Sequence, residues 1–118
     1  METIVHHAQG GARIVECADS ISAPDQAGEL VAACMEADAQ LVLLEARSLP
    51  DAFFDLKTRF AGEFLQKLET YRIRVALAIP AEVTRNERFQ EFLAEARRGR
   101  SLRVFDSRSE AEAWLAAG

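Results

Sequence analysis

Hydrophobic positions change their period several times along the chain. Thr3 to His7 alternates loosely and is rich in β-forming residues. Gln9-Gly10-Gly11 is a turn signal, and Ala12 to Cys17 continues with Ile14 and Val15, so the first two segments predict a β-hairpin. Pro24-Asp25 opens a helix in which Ala27, Leu30, Val31 and Cys34 recur at i, i+3, i+4 and i+7, one buried stripe. Leu41 to Leu44 and Val75 to Ile79 are short unbroken apolar runs, as expected of strands covered on both faces. Between them, Ser48 to Tyr71 reads as a second helical region. Phe89, Phe92, Leu93 and Ala96 mark a third helix, with Gly99 as its expected C-cap. Leu102 to Phe105 is the last strand. In the last helix, Ser109 and Glu112 have capping-box spacing, and Ala111, Trp114 and Leu115 face inward.

The order β-β-α-β-α-β-α-β-α predicts one α/β domain over residues 1–118. It has a mixed, mostly parallel five-stranded sheet, an N-terminal hairpin and about four helices. Sites in such sheets gather where strands end and helices begin. Those places are near Glu45–Arg47, Pro80–Glu82 and Asp106–Ser107.

The stretch FFDLKTRFAG, Phe53 to Gly62, follows the first of these ends. As one continuous helix from Phe53, it gathers Phe53, Phe60, Phe64, Leu68 and Tyr71 on one arc, opposite Asp55, Arg59, Gln66, Glu69 and Thr70. Lys57 falls inside the apolar arc, where a lysine needs an explanation. Three stay open: the helix starts later, near Asp55–Thr58; Lys57 snorkels to the rim; or a carboxylate such as Glu45 or Asp106 holds it in a pocket. Gly62, mid-helix and pointing away from the core, suits close approach by another backbone, such as a second subunit.

Composition narrows the function classes. Hydrophobic residues make up 49% and charged residues 28%, the balance of a globular chain. The first sixty residues hold 4 Lys or Arg against 10 Asp or Glu and the remainder 10 against 9, for a net charge of −5. That argues against nucleic acid as a partner. Arg97, Arg98, Arg100 and Arg103 form the basic cluster, read as cations suiting a helix C-terminus. Cys17 and Cys34 are isolated, so no zinc site or other cofactor is expected; they read as small core hydrophobes, with a disulfide between them left open. His6 and His7 are strand neighbours pointing to opposite faces, one expected exposed and one half-buried, and cannot chelate together. The N-terminus lacks the pattern of a signal peptide, and no apolar run approaches the ~20 residues of a membrane span, so a cytoplasmic setting without membrane insertion is expected.

The pattern F-F-D-L-K-T-x-x-A-G-E-x-x-Q-K, from Phe53 to Lys67, resembles the signature of a small bacterial domain-of-unknown-function family. RVALAIPAEV and LRVFDSRSEAEAWL in the last third resemble SpoIIAA-like and STAS (sulfate transporter and anti-sigma antagonist) domains. Both resemblances imply a hairpin, parallel strands and covering helices; neither implies a reaction. STAS domains act through partner binding, some switched by phosphorylation at a helix start. Thr58 is the nearest hydroxyl to that place and Ser48 its rival, although the D-S-x-G-type motif is absent.

The sequence therefore predicts a regulatory or protein-interaction domain that binds a protein partner or itself as a homodimer. A carrier of a small apolar ligand or lipid beneath the Phe-rich second helix is the alternative, and an enzyme of unknown reaction comes third. The residues offered for partner or ligand binding are Asp55, Lys57, Thr58, Glu45 and Asp106, with Gly62 at an interface.

Overall fold

A computed structural model describes residues 1–84, 86–96 and 101–117. Strands β1 (Thr3–His7) and β2 (Arg13–Cys17) form the antiparallel hairpin. Helix α1 (Ala27–Ala37), β3 (Leu41–Glu45), α2 (Phe60–Thr70), β4 (Arg74–Ala78), α3 (Glu87–Ala96), β5 (Leu102–Phe105) and α4 (Arg108–Ala116) follow. The five strands stand in the order β1-β2-β3-β4-β5, and β2 to β5 are parallel. This is the mixed α/β architecture the sequence predicts.

Strand alternation divides the core. Val15, Cys17, Val42, Leu44, Val75 and Leu77 point to one face and pack against α1, α2 and α3. Ile14, Leu43, Ala76 and Ala78 point to the other and pack against Ala111 and Leu115 of α4. The three crossover helices share one face because the parallel strands never reverse their order. Alanines at 76 and 78 let α4 lie close to the sheet.

Two expectations need correction. The region from Ser48 to Tyr71 is not one helix. It runs through 3-10 turns at Ala46–Ser48, Asp51–Phe54 and Leu56–Thr58, and α2 begins at Phe60. Arg59, at φ +62°, blocks continuation backwards. Tyr71 lies beyond the last residue of α2 and is exposed, not part of the buried arc. The N-cap of α4 is Ser107, not Ser109: its Oγ accepts the Glu110 N–H at 3.3 Å. The four residues of the α1 stripe are all buried. Phe53 sits at the centre of an aromatic core, edge-on to Phe60, Phe64 and Phe89 with centroids 6.2, 6.3 and 5.9 Å away. Cys17 and Cys34 are free and buried, and burial pushes both thiols up to about 11. Gly99, Arg97, Arg98 and Arg100 lie outside the described residues. Among the described residues, no helix is long and apolar enough to cross a membrane.

Candidate functional site

Two features stand out at the hairpin side of the sheet. The first is a charged clamp. Glu16 shares the α4 face of β2 with Ile14 and is only 2% exposed. Capping by Ser107 starts α4 at Arg108, which puts that guanidinium over the carboxyl ends of β2 and β3. Arg108 grips Glu16 with both arms, Nη1 to Oε1 at 2.5 Å and Nη2 to Oε2 at 2.7 Å. Its Nε donates to Glu112 Oε1 at 2.8 Å, and Nη1 reaches Glu45 Oε1 at 3.3 Å. Glu45 in turn accepts from Arg47 Nε at 2.6 Å.

His6 closes the cluster from β1. Its Nε2 meets both Glu16 Oε2 and Arg108 Nη2, the latter at 2.9 Å. One ring nitrogen cannot accept from Arg108 and donate to Glu16 at once, so the position of its proton selects one of the two bonds. Burial works against the Glu16 charge, but the Arg108 and His6 hydrogen bonds outweigh it and hold the carboxyl below its ordinary range. The hydrogen bond to Glu16 raises Arg108 further, against burial. No buried side-chain polar atom among the described residues lacks a partner. The clamp therefore ties β1, β2, β3 and α4 together.

The second feature is the open edge of β1, which among the described residues pairs only with β2. Ala18 N–H bonds to Glu2 O and Ala8 N–H to Ala12 O, each at 2.8 Å, so the even residues of the strand face β2. By alternation, the backbone groups of Thr3, Val5 and His7 point outward from the sheet. Ile4 is 42% and Val5 43% exposed, on opposite faces. No charge and no proline blunts this strand, whereas β5, at the other edge, carries Arg103.

A family model for a domain of unknown function (DUF4180) matches residues 8–115. The chain belongs to the DUF4180 family. No curated protein and no solved structure matches it. The DUF4180 match includes Glu16, Glu45, Arg108 and Glu112 of the clamp and begins immediately after β1.

The residues expected from sequence fall in three places in this DUF4180 chain. Asp55, Lys57 and Thr58 share the turns before α2. Asp55 Oδ1 accepts the Lys57 N–H at 3.1 Å, and Lys57 is exposed ahead of the helix, so the wheel does not apply to it. Thr58 Oγ1 points at Ala52 O (2.6 Å) and Asp55 O (2.8 Å), and accepts the Phe60 N–H at 3.2 Å. Glu45 joins the clamp, while Asp106 is exposed two residues before Arg108. Ser48 is buried, its hydroxyl donating to Cys17 O at 3.2 Å. Gly62 is exposed and lines a groove of about 230 Å³ between α2 and α3 with Leu65, Val75, Phe92 and Leu102. His6 is half-buried and His7 exposed, as their strand positions predict.

Glu16 and Arg108 are the residues that sequence reasoning missed. The available signal was an acid inside the buried run Ile14 to Cys17.

Proposed function

We propose that this DUF4180 chain is a non-enzymatic protein-interaction domain that takes on a strand at the edge of β1. The observation carrying this reading is the unblunted edge, with outward backbone groups at Thr3, Val5 and His7 and exposed Ile4 and Val5. Strand addition uses such an edge for main-chain hydrogen bonds and takes specificity from the alternate side chains. The clamp supports it by fixing β1, through His6, to β2 and α4. The sequence resemblance to STAS domains, which act through partners, is in line with it. The exposed turn of Asp55, Lys57 and Thr58 is a second candidate contact surface on this reading. A cytoplasmic setting suits the two free thiols.

A photo-crosslinking residue at Ile4 tests the reading in the intact chain. Protein adducts are expected at this position, lost when Val5→Pro is added, and absent when the probe sits at Gly62. Adducts that survive Val5→Pro, or none at Ile4, would overturn it.

A second reading, the small apolar-ligand carrier, has the α2–α3 groove in its favour, because Leu65, Val75, Phe92 and Leu102 line it. Calorimetric titration with a medium-chain fatty acid checks it. Binding that Gly62→Leu abolishes supports the carrier; no heat of binding removes it.

A further inference from the structure

We infer that the strand received at the β1 edge is β1 of a second copy of the chain, paired antiparallel about a two-fold axis through Val5. This rests on the reading of β1 as a docking edge and names its partner. The strand is self-complementary about Val5. An antiparallel copy sets Val5 against Val5, Thr3 against His7 and Ile4 against His6. Because Thr3, Val5 and His7 carry the outward groups, all three odd positions become hydrogen-bonded pairs, for about six new backbone bonds.

Charge along the strand itself does not oppose this occupant. The chain carries −5 overall, all of it from the acidic first half, which sets a like-charge background between two copies. Thr3 to His7 holds no carboxylate and no lysine or arginine, so along this strand the copies meet without opposed like charges. The side chains also match face by face. On the α1–α3 side, the half-exposed Val5 residues meet at the axis. On the α4 side, each exposed Ile4 meets the other copy's His6, which its own clamp already holds in place. A two-fold contact uses the β1 edge of both copies at once, so pairing through this edge closes at a dimer. The product is a continuous sheet of two five-stranded halves.

Light scattering and an engineered disulfide test this together. The wild-type chain is expected at twice its 13.1 kDa mass. Val5→Pro removes the central outward N–H but none of the bonds between β1 and β2, and is expected to give a folded monomer by circular dichroism. Val5→Lys serves as the second variant should proline unfold the chain, and is likewise expected to be monomeric. Val5→Cys is expected to form an intermolecular disulfide under mild oxidation, because opposed Cα atoms in such a pair lie about 5.5 Å apart. The exposed control Val83→Cys is not, and the buried native thiols stay silent. A wild-type monomer at the highest soluble concentration would overturn the self-pairing. So would a dimer that survives both Val5→Pro and Val5→Lys. Adducts at Ile4 made only with a different protein would sink the self-pairing and leave the interaction reading standing.

Discussion

Arg108 and Glu16, 92 residues apart in sequence, meet through a two-armed ion pair that fastens the last helix to the second strand. Glu16 is all but inaccessible, whereas the Arg108 side chain is 32% exposed. Removing one partner of a buried pair strands the other charge, and replacing both with apolar groups does not. Arg108→Leu should therefore cost about 3 kcal/mol, at the lower end for buried pairs because Arg108 touches water. The double variant Glu16→Leu, Arg108→Leu should recover most of that. Urea denaturation reads both. A single variant within about 0.5 kcal/mol of wild type would show that water already solvates Glu16.

The same carboxyl gives stability a pH signature. Glu16 titrates below its ordinary value of 4.5 when folded, because Arg108 and His6 outweigh its burial. A lowered folded pKa means that the unfolded chain binds the proton more tightly. The contribution is therefore present above 4.5 and lost as the pH falls through the folded value. Glu16→Gln lacks it throughout. The stability gap between wild type and Glu16→Gln should be widest near neutrality and shrink on acidification, measured by denaturation at a series of pH values. A gap constant with pH would mean that Glu16 is not the titrating group.

Local pattern made the fold legible and left the clamp hidden. The runs Leu41–Leu44 and Val75–Ile79 could be read as strands because both of their faces are covered, so no polar residue interrupts them. The α1 stripe was legible because helix period and burial coincide. The start of α2 was not. Side-chain bonds from Asp55 and Thr58 to the backbone, together with a left-handed Arg59, stop the helix before Phe60, although the apolar spacing continues through it. Phe53 is buried as the periodicity suggests, but from a 3-10 turn. Of the clamp, Glu45 was anticipated at a strand end. Its link to Glu16 and Arg108 depends on the order of strands and on which face α4 covers, and neither has a local period.

Thr58 offers a direct measure of the α2 start. Its hydroxyl bonds the Ala52 and Asp55 carbonyls and accepts from the first helical N–H. Thr58→Ala should cost about 1 kcal/mol, as loss of a cap does, and Thr58→Ser should restore most of it. Thermal unfolding of the three proteins decides this. Equal midpoints for alanine and threonine would show that Arg59 alone sets the boundary.

Gly62 separates the two surfaces on which this chain could associate. It lies inside α2 with no positive φ, and a Cβ added there would meet nothing within 4 Å. Gly62→Ala should raise stability by about 0.5–1 kcal/mol through helix propensity alone. If two copies joined by close backbone approach at Gly62, the added methyl would push them apart and lower the associated mass. With association at β1, the methyl is far from the seam. Urea denaturation and light scattering on one Gly62→Ala preparation should then show a more stable chain of unchanged mass. A loss of mass would move the interface from the strand edge to α2.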